Sequence, residues 1–147
     1  MTTEDTPESN WPAPDWADHI APEADDIERI ARETVATLPP QFRAAATHVV
    51  LHVADFADEV ILDELGIEDP FDLTGLYDGV PLTERSVSDP PRGPDVIWLF
   101  RRPILDEWVG RGDVTLSDLV SHVMVHELAH HFGWSDDDIA AIDRWWE

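Results

Sequence analysis

The spacing of hydrophobic residues changes several times along the chain and predicts helices that alternate with strands. Over residues 24–38, apolar side chains recur every three or four positions, as on one helix face, and two consecutive prolines follow. A β-branched run over residues 47–53 predicts a strand with alternate side chains on one face. A second helix is predicted over residues 55–65, ending at Gly66. The apolar run 95–100 predicts a strand that is buried on both faces.

The second half of the chain predicts a long connection and then mainly helices. Residues 66–94 are rich in Gly, Pro and Asp, and their apolar and aromatic side chains predict an ordered, functional loop. A short helix is predicted over residues 103–108. A capping-box sequence beginning at Thr115 starts a broadly apolar helix over residues 115–132, and a last helix is predicted over residues 135–146.

These elements predict a single α+β domain over residues 23–147, preceded by a tail. Residues 1–22 are acidic, rich in proline and without a periodic apolar face, so we expect most of this tail to be disordered. Trp11 and Trp16 are unusual in such a segment. They either anchor the tail on the domain or dock a partner.

The charge of the chain excludes two classes of partner. Acidic residues number 32 and basic residues 9, and the formal net charge is −23. Such a chain repels phosphate backbones and anionic lipids, so neither nucleic acid nor a membrane is expected as a partner. The amino terminus lacks the apolar core of a secretory signal, and no apolar run is long enough to span a membrane. These features predict a cytoplasmic location.

The candidate chemistry lies near the carboxyl end of the chain. In the predicted helix over residues 115–132, His126 and His130 stand one turn apart on one face and can bind one Zn²⁺ together. Glu127 is placed to take a proton from water on that metal. Because the chain contains no cysteine, the ligands must be histidine and carboxylate, and iron, cobalt or manganese could replace zinc.

The residues after this HExxH motif extend it. Gly133 can adopt the left-handed conformation that ends a helix, and the turn could return Asp136 to the metal as a third ligand. Ser135 and the three aspartates after it also resemble an N-cap and an acidic first turn. Asp136 therefore has two compatible roles, as a ligand and as the start of another helix.

Two further histidines compete for the metal. His122 lies four residues before His126, but His122 and His130 are about 12 Å apart along the helix, too far to share one ion. A pair formed by His122 and His126 has no glutamate directly after its first histidine. His131 points about 100° away from His130 and is expected to support the site or to pack in the core.

Three segments together resemble the small bacterial zincin-like metallopeptidases, sometimes called minimal zincins. They are residues 75–85 (GLYDGVPLTER), 97–101 (IWLFR) and 126–136 (HELAHHFGWSD), and the resemblance extends over roughly residues 24–143. It implies a minimal zincin-like fold, in which a small twisted β-sheet packs against the helix that carries the motif.

The resemblance also implies an activity, which is zinc-dependent hydrolysis of peptide bonds in a peptide or protein substrate. It makes His126, His130 and Asp136 metal ligands. It makes Glu127 the catalytic base. We expect the substrate to lie extended along the sheet edge near residues 95–100, hydrogen-bonded as an added strand.

An alternative function remains open. A chain this short has little material for the far wall of a substrate cleft, so it could instead be a non-catalytic metal-binding or regulatory protein with a zincin fold. Tyr77 and His131 are candidates to support the metal ligands. Tyr77, Arg85 and Arg101 are candidate donors to the oxyanion of the reaction, with packing and salt bridges as their alternative roles.

Overall fold

The computed structural model describes residues 15–86, 88, 93–134 and 137. These residues form an α+β structure, as the sequence predicts, with five α-helices and one mixed sheet of three strands. The helices are α1 (Ala24–Ala36), α2 (Pro40–Ala46), α3 (Glu59–Leu65), α4 (Arg101–Arg111) and α5 (Leu116–His131). The strands are β1 (Val49–Ala54), β2 (Gly75–Asp78) and β3 (Asp95–Phe100).

Strand β3 is the centre of the sheet. β1 runs parallel to it on one side and β2 antiparallel on the other, in the order β1-β3-β2. The sequence of β3 is apolar at successive positions because its side chains pack into a hydrophobic cluster on each face of the sheet. It also corrects one expectation. Residues 95–100 do not form an edge of the sheet, because strands are paired on both sides of them.

Helices α1 and α5 cover one face of the sheet. Ile97 and Leu99 of β3 point to this face and are fully buried. They belong to one cluster with Ile27 of α1 and with Val120 and Leu128 of α5. Alternate side chains of β1 reach the same cluster, as their spacing in the sequence predicts. One side of α5 is thereby fixed in the core.

The opposite face of the sheet is covered by α3 and the chain around it. Phe100 is buried there in a second cluster with Ala57 and with Leu62 of α3. Leu76 and Trp98 of the sheet pack against this cluster. Strand β3 is therefore packed against a hydrophobic cluster on both faces, whereas most of β1 and β2 is partly buried.

The described residues include a helix and a strand, α2 and β2, that the sequence pattern does not predict, and the predicted connection also holds two short 3-10 helices, Pro70–Asp72 and Leu82–Glu84. Pro40 occupies the first turn of α2, where the missing N–H of proline is not needed. Strand β2 lies inside the predicted connection over residues 66–94. The sequence does not predict a strand there, because the glycine and the aspartate at its ends are typical of turns. The predicted helix over residues 55–65 begins later, after Asp58, whose carboxylate accepts the N–H of Ile61 at 2.9 Å.

Parts of two further predictions lie outside the described residues. These are most of the tail over residues 1–22 and nearly all of the last helix over residues 135–146. Within the tail, Asp15–Asp18 forms a short 3-10 helix, and the Pro22 carbonyl accepts a hydrogen bond from Arg101 at 2.7 Å. A domain boundary at residue 23 stays a prediction. Among the described helices, none has the length and apolar character that crossing a membrane requires.

The start of α5 leads to a prediction about stability. Thr115 is its N-cap, and the Thr115 hydroxyl accepts the N–H of Asp118 at 3.0 Å. Thr115→Ala removes this acceptor and is expected to lower the free energy of unfolding by about 1 kcal/mol, measured by urea denaturation in the presence of a chelator. Thr115→Ser keeps the hydroxyl and should recover most of the loss. Equal losses in the two variants would contradict the capping role.

Candidate metal centre

Helix α5 presents the motif residues on its accessible side. Leu128 and Ala129 are buried, whereas His126, Glu127 and His130 are each half-buried. The predicted helix over residues 115–132 is confirmed, and its ends differ by one residue from the predicted ones. The two histidines and the glutamate are therefore held on a helix that is packed in the core, and each keeps part of its surface exposed.

The rings of His126 and His130 have the spacing that one shared tetrahedral ion requires. Their centroids are 5.0 Å apart and their planes are inclined at 75°. An imidazole nitrogen binds zinc at about 2.1 Å, so the ring centroid lies about 3.2 Å from the ion and two such rings are about 5 Å apart. The rings of His122 and His126 are 6.3 Å apart, which would need a much wider angle at the ion. The spacing favours the pair His126 and His130.

Two imidazoles fit zinc in kind and in spacing, but a complete zinc site has a third protein ligand. Within the described part of the chain, no three His, Cys, Asp or Glu side chains come together in a way that could hold an ion. Asp136, the predicted third ligand, lies outside the described residues. Its role stays a prediction.

Helix α5 ends in the sharp bend that the sequence predicts at Gly133, which has a φ of +91°. The N–H of Gly133 donates to the carbonyl of His130 at 3.0 Å, and the N–H of Trp134 donates to the carbonyl of Ala129 at 2.9 Å. These bonds satisfy carbonyls that have no partner within the helix. A Cβ at Gly133 would overlap the Thr83 side chain, so the bend is also packed against a loop.

Strand β2 comes close to α5 at Gly75. A Cβ on this residue would lie 2.7 Å from Val123 Cγ1 and 3.2 Å from Glu127 Cγ. Such an approach is possible for glycine alone among the amino acids without a shift of the neighbours. The candidate base Glu127 therefore lies directly beside β2, which among the described residues is paired with β3 alone.

A buried carboxylate that the sequence pattern did not single out lies next to the end of α5. Asp95, the first residue of β3, is 4% exposed. Its Oδ2 accepts hydrogen bonds from the Tyr77 hydroxyl at 2.6 Å and from His131 Nδ1 at 2.9 Å, and it forms an ion pair with Arg85. We call these four residues the Asp95 network. The one signal of this network in the sequence is an aspartate at the start of an apolar strand. A charge in such a buried position needs partners, because burial without them is unfavourable.

The contacts of Tyr77, Arg85 and Arg101 bear on their candidate role as oxyanion donors. The hydroxyl proton of Tyr77 is directed to Asp95, and the guanidinium of Arg85 is paired with the same carboxylate. Arg101 is paired with Asp55 at 3.3 Å. Both arginines therefore fill the salt-bridge role that was their alternative, and Tyr77 is a member of a supporting network.

Burial controls the protonation of His131, which is 1% exposed. Desolvation lowers its pKa, although the hydrogen bond to Asp95 and the charge of Asp95 act in the opposite direction. The ring is therefore neutral at pH 7. Because a carboxylate can only accept hydrogen bonds, the proton of the ring is on Nδ1, where it is donated to Asp95.

Comparison with known proteins finds a family match. The chain matches the zincin-like metallopeptidase family over residues 46–146, which is more than half of its length. The matched residues include all three strands, helix α5 and the whole extended motif, while α1 lies before them. No curated protein matches the chain.

The Asp95 network predicts an unusual alkaline titration of Tyr77, the single tyrosine of the chain. Burial raises the pKa of Tyr77 well above its ordinary value of about 10, and the hydrogen bond to Asp95 and its charge add to the rise. The unfolded chain therefore loses this proton first. The stability that the raised pKa contributes is present below about pH 10 and is lost as the pH rises beyond it.

We expect the tyrosinate absorbance to appear together with the loss of far-ultraviolet circular dichroism when the protein is titrated with alkali. Tyr77→Phe is the control, because it lacks the absorbance change and the associated loss of stability. A tyrosinate midpoint near pH 10 in protein that keeps its dichroism would contradict the buried network.

Proposed function

Because the chain belongs to the zincin-like metallopeptidase family, we propose that it hydrolyses peptide bonds at a metal centre on α5. His126, His130 and Asp136 hold the ion in this proposal, and Glu127 is the catalytic base. The observation that supports it best is the 5.0 Å spacing of the His126 and His130 rings. The position of Glu127 beside an edge strand adds to this support.

Two histidines and one carboxylate are a ligand set that suits zinc, and iron, cobalt or manganese accept the same donors. A bound zinc ion supplies Lewis acidity, which polarises the substrate carbonyl and makes water easier to deprotonate. The chain contributes the fixed spacing of its ligands. His126 and His130 owe that spacing to a helix whose opposite side is packed in the core.

Glu127 accepts the proton of the attacking water and returns it to the amine that leaves. A base with these two tasks must lie beside the bond that is cleaved. Gly75 makes this arrangement feasible, because a larger residue would occupy the space next to Glu127 Cγ. The backbone of β2 can thus come within reach of the base together with a peptide bound along it.

We place the substrate along β2 and not along β3. Strand β3 is paired on both sides, whereas β2 is paired on one side within the described residues. An extended peptide can add to an edge strand through main-chain hydrogen bonds, which depend little on its side chains. A peptide on the outer edge of β2 would carry a backbone carbonyl toward Glu127 and the histidine pair.

Glu127→Gln separates the proposed enzyme from a non-catalytic metal-binding or regulatory protein. The amide preserves the shape of the side chain but cannot accept the proton, so hydrolysis of a mixture of unstructured peptides should fall by about 100-fold or more. Zinc binding should be retained. His126→Ala is the matched variant and should lose both properties. If the zinc-loaded wild type cleaves none of the peptides, the non-catalytic alternative replaces the proposed activity.

Asp136→Ala tests the third ligand, with the neighbouring aspartate as its control. Removal of a ligand is expected to weaken zinc binding by about 100-fold or more in competition with a chelating dye. Asp137→Ala removes the same charge one residue later and should change the affinity by less than about threefold. Equal zinc affinities of the two variants would contradict ligation by Asp136.

A further inference from the structure

We propose that Asp95 is a positioning residue for the metal centre, because it fixes the last turn of α5, and with it His130, through the neighbouring His131. The inference rests on the proposed function and extends it to residues that touch neither metal nor substrate.

His130 occupies a weak part of its helix. Because α5 ends at His131, His130 lies in the final turn, whose carbonyls are bonded to N–H groups of the bend over residues 132–134 and not to a further turn of regular helix. An imidazole nitrogen lies about 6 Å from the helix axis, so a rotation of this turn by about 10° displaces it by about 1 Å. Metal–ligand distances tolerate only about 0.2 Å. The turn therefore needs an anchor outside the helix.

Asp95 provides such an anchor. Its Oδ2 lies 2.9 Å from Nδ1 of His131, and both side chains are buried. Asp95 is part of β3, which is held by strands on both sides, so the anchor point is a rigid part of the sheet. When His131 is fixed, the rotation of the final turn is fixed, and His130 is held by the same contact.

The other partners of Asp95 keep its carboxylate in place. Tyr77 donates to Oδ2 at 2.6 Å, and Arg85 pairs with the same oxygen. These three donors occupy Oδ2, and within the described residues Asp95 is not part of any group of three His, Asp or Glu side chains that could hold an ion, so the geometry favours a positioning role over ligation. Gly79 leaves room for the arrangement, because a Cβ there would lie 2.6 Å from Asp95 Oδ1 and 2.8 Å from the Tyr77 hydroxyl.

The loop that supplies Arg85 also packs against the end of the helix. Thr83 lies so close to Gly133 that a Cβ on the glycine would overlap it. Arg85 Nε donates to the Val80 carbonyl at 2.9 Å, which ties the loop to itself. Residues 77–85 thus hold the end of α5 in two ways, by the Asp95 network and by packing on the bend.

Asp95→Asn tests the proposal through zinc affinity. Asparagine has nearly the same shape but no charge, so it should hold Arg85 and His131 less firmly. We expect the variant to fold, judged by circular dichroism, and to bind zinc about 10-fold more weakly in competition with a chelating dye. The visible absorption spectrum of the cobalt-substituted protein should change as well, because the ligands are displaced.

Thr34→Val is the matched control. It removes the 2.6 Å contact between the hydroxyls of Thr34 and Ser121, which ties α1 to the first half of α5. This variant should melt at a lower temperature, yet its zinc affinity should remain within about twofold of the wild type. The comparison separates a general loss of stability from a loss of ligand position.

The outcomes distinguish this inference from the proposed function. The positioning role is overturned if Asp95→Asn folds and binds zinc as tightly as the wild type or as Thr34→Val. This result leaves the metallopeptidase proposal intact. A wild type that binds no zinc overturns both. If Asp95→Asn does not fold, Tyr77→Phe tests the proposal in its place. We expect this variant to bind zinc about threefold more weakly than the wild type, and an unchanged zinc affinity overturns the proposal.

Discussion

The burial of one side of α5 is the constraint on which the rest of the described structure depends, because it fixes the helix that carries the HExxH motif. Val120, Met124 and Leu128 are buried on its fixed side. Each such side chain contributes about 1.5–3 kcal/mol on burial. Such tertiary packing supplies most of the stability of a helix in a folded protein. The core can therefore hold α5 in place while polar motif residues stay on the open side.

The features that the sequence predicted are local ones. Thr115 and Gly133 mark the two ends of α5, because an N-cap and a left-handed residue act within one turn of the helix. The spacing within HExxH is equally local, and it places two imidazoles on one face wherever the helix lies in the fold. Strands β1 and β3 were predictable because they carry long apolar or β-branched runs.

The features that the sequence did not predict depend on contacts between distant residues. Asp95 and His131 are separated by 36 positions, and no periodicity connects them. Strand β2 is stabilised by pairing with β3 and by its fit to α5, not by its own β-propensity. Gly75 and Gly79 are typical of turns when read alone, yet in the fold they allow close approach to Glu127 and Asp95. The resemblance of residues 75–85 to a family marked this segment without indicating its contacts.

The net negative charge of the chain affects how ligands approach it, whereas the geometry of the proposed metal centre determines how tightly an ion binds. The motif lies at the carboxyl end of α5, where the helix dipole favours a cation by about 0.3–1 kcal/mol. The binding free energy of zinc at structural sites is roughly 10–16 kcal/mol, which is far larger than the effect of the dipole. The position of the ligands therefore decides whether an ion binds. A net charge of −23 affects mainly the approach of ligands, because it attracts cations and basic peptides and repels anions. Since long-range charge cannot compensate for a ligand displaced by 1 Å, the buried contacts that orient His130 matter more to the centre than the acidic surface around it.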